Sequence, residues 1–442
     1  MSKISRRNFL ITAGASTAAT FILHGCSSNQ SASTSTESSG STASPSPVAA
    51  ADTPEVTTAK LGFIALTDAA PLIIAKEKGL FAKYGMPDVE VVKQASWGAT
   101  RDNLELGSAG NGIDGAHILS PMPYLMTLGK ITKQPVPMYI TARLNTNGQG
   151  ISVASAFESL QIGTDSAPLK EVFAQAKAAG EQVKCAVTFP GGTHDLWMRY
   201  WLAAGGIDPD NDVSTIVVPP PQMVANMKVG TMQAFCVGEP WNAQLVTQNL
   251  GYTAITTGEF WKDHPEKALA LRADWVDRHP NATKALTMAV MEAQQWCDRA
   301  ENKPEMCDII SKREWLKINA NDILGRAQGN FDFGGGKPAV ENSPLLMKFW
   351  SDFASYPFKS HDLWFLTEDI RWGYVPADTD TKALVDKVNR EDIWQEAAKS
   401  LNVASADIPK STSRGVEKFF DGVEFDPENP EDYLKSLSIK KV

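Results

Sequence analysis

The feature that most constrains the fold is a repeated alternation of a short apolar strand, a polar turn and a helix. Residues 61–66 are apolar, Thr67 and Asp68 make a polar break, and a helix is predicted in "AAPLIIAKEKGLF". The following segment, "VEVVKQASWGATRDNLELGS", repeats the same order. The alternation predicts an α/β sandwich with a mainly parallel sheet, in which ligands bind beyond the carboxyl ends of the strands.

Three strand-to-helix turns carry residues suited to an anion. Trp97 stands where a helix begins, and Gly238 ends the apolar run "AFCVG". His194 lies in the first helical turn after "FPGG", with Thr193 predicted as the N-cap. Exposed backbone N–H groups at such turns attract anions. Gln149, in "NGQG", is a further polar candidate. Each residue also has an ordinary interpretation, as a core lid, a partly exposed helix residue or a loop amide.

Lys267 can be interpreted either as a surface residue or as a ligand-binding residue. It precedes "ALAL" in "WKDHPEKALALRADW", an alanine-rich run that predicts a helix. Taken alone, a lysine there is a solvated surface charge with only its stem covered. The alternative is that its ammonium group holds a ligand.

The N-terminus predicts export. Lys3, Arg6 and Arg7 precede an apolar stretch of about 15 residues, too short and too rich in small residues to span a membrane. "SRRNFL" resembles a twin-arginine export motif, and "LHGC" resembles a bacterial lipobox in which Cys26 is lipidated. Residues 1–25 are therefore predicted to be a signal peptide, and residues 26–58, rich in Ser, Thr and Pro, a flexible tether.

The charge balance argues against nucleic acid as a partner. The leader holds three of the 42 basic residues and no acidic residue, so the remainder has 39 basic and 51 acidic residues and a net charge of −12. Such a chain repels polyanions and anionic lipid surfaces, but donors within a cleft can still bind a small anion.

The cysteines and histidines predict neither a disulfide scaffold nor a metal site. A body of about 380 residues builds its own core without disulfides. No Cys or His cluster has zinc spacing, so no metal or cofactor is expected. Cys297 and Cys307 are the only close pair, and the sequence leaves open whether they are bridged.

Long segments of the chain resemble one family. From "AKLGFIALTDAAPLIIAKEKGLF" through "FPGGTHDLWMRYWLAAGG", "FCVGEPWNAQLV" and "HPEKALALRADWV" to "KSHDLWFLTEDIRWGY", the sequence is similar to the substrate-binding lipoproteins of cyanobacterial ABC nitrate transporters. The resemblance covers residues 59–442 and extends to the lipoprotein leader. The family also contains a close relative that serves bicarbonate transport.

The resemblance implies a two-lobed solute-binding fold of the C-clamp type, with each lobe an α/β sandwich and the ligand between them. On this sequence the larger lobe would comprise residues 59–150 and 240–442, and the smaller lobe residues 151–239. The chain would cross near Gly148 to Gly150 and again near Gly238 to Pro240. The acidic, aromatic segment 419–437 would wrap around the larger lobe.

The resemblance also implies a ligand set and a set of partners. In nitrate-binding members the anion is held by residues that match Trp97, Gln149, His194, Gly238 and Lys267. Their side-chain or backbone N–H groups all donate, which suits nitrate, an anion that only accepts hydrogen bonds. Such a site is expected to present no buried carboxylate to the anion. The implied partners are nitrate, nitrite, a membrane permease with its ATPase, and the membrane itself through lipid on Cys26.

Three alternatives remain at this stage. Bicarbonate carries an O–H and gains from an acceptor, and bicarbonate-binding relatives have glutamate where Lys267 stands, so the lysine favours nitrate. An enzyme could use Cys236 with His194 and Asp195, but Cys236 lies in an apolar run where an inert thiol is expected. A tethered sensor would use the same lobe closure as a transport protein.

Overall fold

The structure is a computed structural model, and it describes residues 53–442. The predicted signal peptide, Cys26 and most of the predicted tether lie outside these residues. None of the helices between residues 53 and 442 combines the length and the apolar character that a bilayer span requires.

Two five-stranded sheets organise the described chain. The first sheet has the order β2-β1-β3-β10-β4 and the second has the order β7-β6-β8-β5-β9. The strands of the first sheet are β1 (Thr58–Phe63), β2 (Asp88–Lys93), β3 (Gly115–Leu119), β4 (Met138–Thr146) and β10 (Pro265–Arg272). Those of the second sheet are β5 (Gln149–Ala154), β6 (Lys184–Val187), β7 (Ser214–Val217), β8 (Ala234–Gly238) and β9 (Gly251–Thr256).

Helices cover both sheets, and a short hairpin lies near the C-terminus. The N-terminal helices are α1 (Ala70–Glu77), α2 (Leu80–Lys83), α3 (Trp97–Leu106) and α4 (Met122–Thr127). Around the second sheet lie α5 (Pro168–Ala178), α6 (Thr193–Ala204), α7 (Met223–Lys228), α8 (Trp241–Thr247) and α9 (Thr257–Phe260). The remaining elements are α10 (Ala273–Arg278), α11 (Pro280–Asp298), α12 (Lys303–Ser311), α13 (Asn321–Ala327), α14 (Lys359–Arg371), α15 (Thr381–Val388), α16 (Glu391–Ser400), the hairpin β11 (Glu417–Lys418) with β12 (Glu424–Phe425), and α17 (Pro430–Ser436).

Four of the five strands in each sheet run in the same direction, which agrees with the prediction of mainly parallel sheets. The exceptions are β10, antiparallel to β3 and β4, and β5, antiparallel to β8 and β9. Each reversed strand is the first one after the chain changes sheets. We call each sheet with its helices a lobe; this is the two-lobed arrangement that the family resemblance implies.

The second crossing was predicted in the wrong place. The chain first passes between the sheets at residues 147–148, but it does not return near Gly238. After β8 it forms α8 and comes back to the second sheet as β9, which pairs with β5 from Gly150 opposite Thr256 to Ala154 opposite Gly251. The return to the first sheet therefore lies in residues 257–264. The ladder with β5 satisfies the backbone of β9 and keeps residues 251–256 in the second lobe.

The alanine-rich run after Lys267 is a strand and not the predicted helix. It forms β10, between β3 and β4, and Ala268 to Leu271 are fully buried on both faces of the sheet. Alanine favours a helix in isolation, but a central strand that is buried on both faces satisfies its backbone and covers its side chains. Pro265 stands at the first residue of this strand, where no ladder donor is required.

The C-terminal region packs against both lobes. Trp364 of α14 stacks on Trp197 of α6 with ring centroids 4.8 Å apart, while Phe419 packs against Trp261. The prediction that segment 419–437 wraps around the larger lobe is therefore incomplete, because Phe420 contacts Phe260 and Tyr200 in the second lobe. Flat aromatic rings cover a large area and hold these elements together.

Asp369 of α14 places an unpartnered carboxyl group in the buried part of the C-terminal region. Its side chain is fully buried and neither carboxylate oxygen has a hydrogen-bond partner. Burial, followed by the nearby charges of Asp195 and Glu368, raises the pKa of Asp369 well above its usual value. A raised folded-state pKa means that stability falls as pH rises from about 4 through that pKa. We expect Asp369→Asn to remove this loss and to stabilise the protein at pH 8 by about 1–2 kcal/mol.

Urea unfolding at pH 5 and pH 8 checks this expectation. The free energy of unfolding of the variant should increase relative to that of the wild type as the pH rises. A variant that is equally destabilised at both pH values would contradict it.

Candidate functional site

The five residues that the sequence singled out come together where the two lobes meet. Trp97 and Lys267 belong to the first lobe, while Gln149, His194 and Gly238 belong to the second. All four side chains are 0–1 % exposed, so Lys267 is not the solvated surface charge that its helix-forming context favoured. The structure adds two fully buried carboxylates, Asp68 and Glu266. We call the set of Asp68, Trp97, His117, Gln149, His194, Glu266 and Lys267 the interlobe cluster.

Lys267 is the cation of the interlobe cluster. Its Nζ lies 2.9 Å from Asp68 Oδ2 and 2.9 Å from Glu266 Oε1. Burial alone would lower the pKa of Lys267, but the two carboxylates outweigh it and the pKa is raised. The lysine is therefore charged at neutral pH.

Asp68 lies in the turn after β1 and joins the two lobes. Its Oδ1 is 2.6 Å from Nε2 of His117 on β3, and its Oδ2 accepts a hydrogen bond from Nε2 of Gln149 at 3.1 Å. Burial opposes ionisation of Asp68, but the charge of Lys267 and the hydrogen bond from His117 more than offset it and hold the pKa of Asp68 well below its usual value. Asp68 is thus an anion held by donors from both lobes.

Gln149 and His194 form a hydrogen-bonded chain in the second lobe. Because the Gln149 amide donates to Asp68, its Oε1 faces His194 Nε2, 2.7 Å away, and accepts from it. His194 Nδ1 then accepts from the Thr188 hydroxyl at 2.6 Å. Burial, followed by the charge of Lys267, lowers the pKa of His194 to about 3, so the ring is neutral.

Glu266 links β10 to α6. Its Oε2 accepts from the Trp197 indole at 2.9 Å, and its Oε1 accepts from the Thr193 hydroxyl as well as from Lys267. Thr193 therefore is not the predicted N-cap; Gly192 takes that position and the hydroxyl binds the carboxylate instead. Neighbours on a regular strand point to opposite faces, but register shifts on both sides of Lys267 let Glu266 and Lys267 reach the same cluster.

The two carboxylates are site residues that were not named from the sequence; the expectation was only that no buried carboxylate would face the anion. A buried lysine requires a counter-charge from the protein, and Asp68 and Glu266 supply it. Asp68 was open to sequence reasoning, since it follows β1 at the carboxyl edge of the sheet as the other candidates follow their strands. The register shifts that bring Glu266 into the cluster leave no signal in the sequence.

Trp97 is the member of the cluster whose side-chain donor has no hydrogen-bond partner. It is the first residue of α3, whose N-cap Ser96 accepts a hydrogen bond from the backbone N–H of Ala99. The indole is fully buried and its Nε1 has no hydrogen-bond partner. Lys267 Nζ lies 5.8 Å from the ring centroid, and His117 packs against the ring. A buried donor without a partner is costly unless something else binds it.

Position 238 requires glycine because neighbouring side chains lie too close to leave room for a Cβ atom. Gly238 pairs with Gln149 across β8 and β5. A Cβ at this position would lie 2.6 Å from Gln149 Oε1 and 3.2 Å from Asp68 Oδ2. Any side chain here would displace the amide and the carboxylate of the cluster.

The residues of the alternative enzyme do not form a catalytic set. Cys236 is buried in β8, and burial raises its pKa well above the usual value, so the thiol is not a nucleophile at neutral pH. The Asp195 carboxylate binds Arg199, the Gly191 N–H and the Tyr374 hydroxyl. His194 is engaged by Thr188 and Gln149. Cys297 and Cys307 are free thiols in the structure.

Comparison with known proteins gives the family. Residues 52–311 match the NMT1-like family. The nitrate/nitrite binding protein NrtA of Synechocystis is 64% identical over 100% of this chain and 99% of its own length, and the bicarbonate-binding protein CmpA of Synechococcus elongatus is 46% identical over 99% and 98%. The crystal structure of the periplasmic nitrate-binding protein NrtA from Synechocystis superposes with a TM-score of 0.86 and 67% identity, covering 88% of this chain and 100% of that one. The chain therefore belongs to the NMT1-like family, with nitrate/nitrite-binding and bicarbonate-binding proteins as full-length relatives.

Proposed function

We propose that this protein captures nitrate and nitrite between its lobes and delivers them to a membrane permease driven by a partner ATPase. Lipid on Cys26 would hold it at the plasma membrane, on the periplasmic side. One observation carries the ligand assignment: the buried, unpartnered Trp97 Nε1 stands beside the charged Lys267. The full-length similarity to the Synechocystis nitrate/nitrite binding protein supports the same conclusion.

The donors of the interlobe cluster match the needs of a planar oxyanion. Trp97 offers an unpartnered indole N–H and Lys267 offers a full positive charge, whereas His194 and Gln149 would have to redirect the N–H groups that now donate to Gln149 and Asp68. An anion between these groups exchanges water for several charge-assisted hydrogen bonds of about 1.5–3 kcal/mol each. Lobe closure costs part of this energy. A net binding free energy of around −8 kcal/mol would correspond to a micromolar dissociation constant.

The acceptors of the cluster argue against bicarbonate. Bicarbonate would have to donate its O–H to a carboxylate oxygen that already accepts a hydrogen bond or ion pair, from Lys267, Gln149, His117, Thr193 or Trp197, so it would have to share that acceptor. The group without a partner is a donor, the Trp97 indole. Nitrate needs only donors, and nitrite shares its charge and acceptors.

Calorimetric titration tests the ligand directly. Nitrate, nitrite and bicarbonate are titrated separately into the full-length protein in mild detergent. We expect micromolar dissociation constants for nitrate and nitrite, and binding of bicarbonate that is at least about tenfold weaker. Bicarbonate bound as tightly as nitrate would favour the bicarbonate-transport alternative.

Two cellular measurements test the rest of the proposal. Loss of nitrate uptake in a strain that lacks the gene supports transport, whereas unchanged uptake with an altered nitrate response would favour the sensor alternative. Labelled palmitate should enter the wild-type protein but not Cys26→Ser. Labelling of the variant would contradict the anchor at Cys26.

Trp97→Phe should weaken nitrate binding without weakening the fold. Phenylalanine keeps an aromatic ring and removes the Nε1 donor, so affinity should fall about tenfold. Stability should stay the same or rise, since an unpartnered buried donor disappears. Calorimetry and thermal unfolding measure the two effects.

Trp315→Phe is the matched control for Trp97→Phe. Trp315 also has a buried, unpartnered Nε1, but it packs on Phe63 outside the interlobe cluster. This variant should keep the wild-type nitrate affinity. Equal loss of affinity in both variants would contradict a direct role for the Trp97 donor.

A further inference from the structure

The interlobe cluster carries a net negative charge, which is unexpected for an anion site. Asp68 and Glu266 contribute two negative charges and Lys267 contributes one positive charge. The histidines that face them are His117 on β3, His194 on α6 and His264 before β10. Burial lowers the pKa of each, to about 3 for His194 and His264, so they add no charge. The sum is therefore −1 in a fully buried volume.

The charges on the surrounding elements do not correct this balance, because they are paired with one another. The Cys236 thiol on β8 is neutral, since burial raises its pKa. The neighbouring charged groups occur as ion pairs: Asp195 with Arg199 on α6, Glu239 after β8 with Arg326, Asp263 before β10 with Lys348, and Arg143 on β4 with Asp362.

We propose that nitrate enters the interlobe cluster together with about one proton, which the His194 ring receives facing the Glu266 carboxylate. This inference rests on the proposed function. A second buried negative charge would otherwise take the cluster to −2 with no compensation, and isolated buried charge is strongly unfavourable. With the proton, the charge of the cluster is the same before and after the anion binds.

The geometry around His194 allows it to receive the proton. Its Nε2 is 3.8 Å from Glu266 Oε1, so an imidazolium would face a carboxylate. Its Nδ1 lies 2.6 Å from the Thr188 hydroxyl, which donates to the neutral ring and can rotate to accept from the protonated one. Both ring nitrogens would then have acceptors. The proton comes from solvent, and the anion raises the affinity of the ring for it.

Calorimetry in two buffers measures the proton. Nitrate is titrated at pH 7 into the full-length protein in PIPES and in Tris, whose ionisation enthalpies differ, and the slope of the observed enthalpy gives the protons taken up. We expect a slope of about one, and a dissociation constant that rises by up to about tenfold per pH unit between roughly pH 6 and 8. Nitrate binding with a slope of zero and no pH dependence would overturn the proton inference alone.

Glu266→Gln locates the effect. It removes the excess negative charge, so proton uptake should fall towards zero and the pH dependence should flatten while nitrate still binds. Glu417→Gln is the control, because Glu417 is also buried and accepts from an indole, Trp261 Nε1 at 2.7 Å, outside the cluster. Glu417→Gln should take up as many protons on nitrate binding as the wild-type protein does.

The remaining outcomes are also decisive. Unchanged proton uptake in Glu266→Gln would overturn the assignment to the His194 and Glu266 pair. If that variant fails to fold, the comparison of buffers with the wild-type protein still decides whether a proton binds. No nitrate binding to the wild type would refute the proposed function and this inference with it.

Discussion

Lys267→Met should abolish measurable nitrate binding and destabilise the protein by about 3–5 kcal/mol. The lysine supplies the positive charge of the interlobe cluster, so without it the affinity for an anion should fall at least about a hundredfold. The variant also leaves Asp68 and Glu266 buried without the cation that both contact at 2.9 Å. Calorimetric titration with nitrate measures the first effect and urea unfolding measures the second.

Lys348→Met separates the two effects of this substitution. Lys348 is also a mostly buried lysine between two carboxylates, with Asp263 and Asp352 each 2.6 Å from its Nζ. Its removal should cost stability, but less than at Lys267 because Asp352 is exposed and can be solvated. Nitrate affinity should stay at the wild-type value. Wild-type affinity in Lys267→Met would refute the role of Lys267 as counter-charge.

The sequence predicts those parts of the fold that local signals control. The alternation of apolar strands and helices correctly indicates an α/β fold with mainly parallel sheets, and α3 begins at Trp97 as expected. These features depend on short stretches of chain and on turn residues, which the sequence displays directly.

The errors occur where long-range contacts decide the structure. The run after Lys267 favours a helix by composition, but its position between β3 and β4 makes it a strand. The second crossing was misplaced because Gly238 and Pro240 interrupt a strand locally, whereas the pairing of β9 with β5 depends on residues about a hundred positions apart. Neither effect can be derived from a window of neighbouring residues.

The candidate site divides in the same way. Reasoning from the ligand and from the family resemblance names donors, and the structure brings Trp97, Gln149, His194 and Lys267 into one cluster. The same reasoning names no carboxylate, because it considers only the hydrogen bonds that the anion needs. The fold must also neutralise a buried lysine, and that requirement brings Asp68 and Glu266 into the cluster.

Arg143→Met should be as destabilising as the loss of Lys267, through a pair outside the interlobe cluster. Arg143 on β4 is buried, and its guanidinium binds the Asp362 carboxylate on α14, linking the first sheet to the C-terminal region. Without the arginine, Asp362 retains a hydrogen bond from Asn389 but no cation in this pair. Breaking a buried pair on one side costs about 3–5 kcal/mol, which urea unfolding would measure.

A double-mutant cycle distinguishes the pair from simple loss of packing. Asp362→Leu alone leaves the Arg143 charge buried, with the Ser120 hydroxyl as a remaining acceptor, and should be about as destabilising as Arg143→Met. The double variant removes both charges, so it should recover much of the loss, since an apolar replacement of a buried ion pair is often close to neutral. Additive losses in the double variant would mean that the two side chains contribute by packing, and the electrostatic account of the link between β4 and α14 would be wrong.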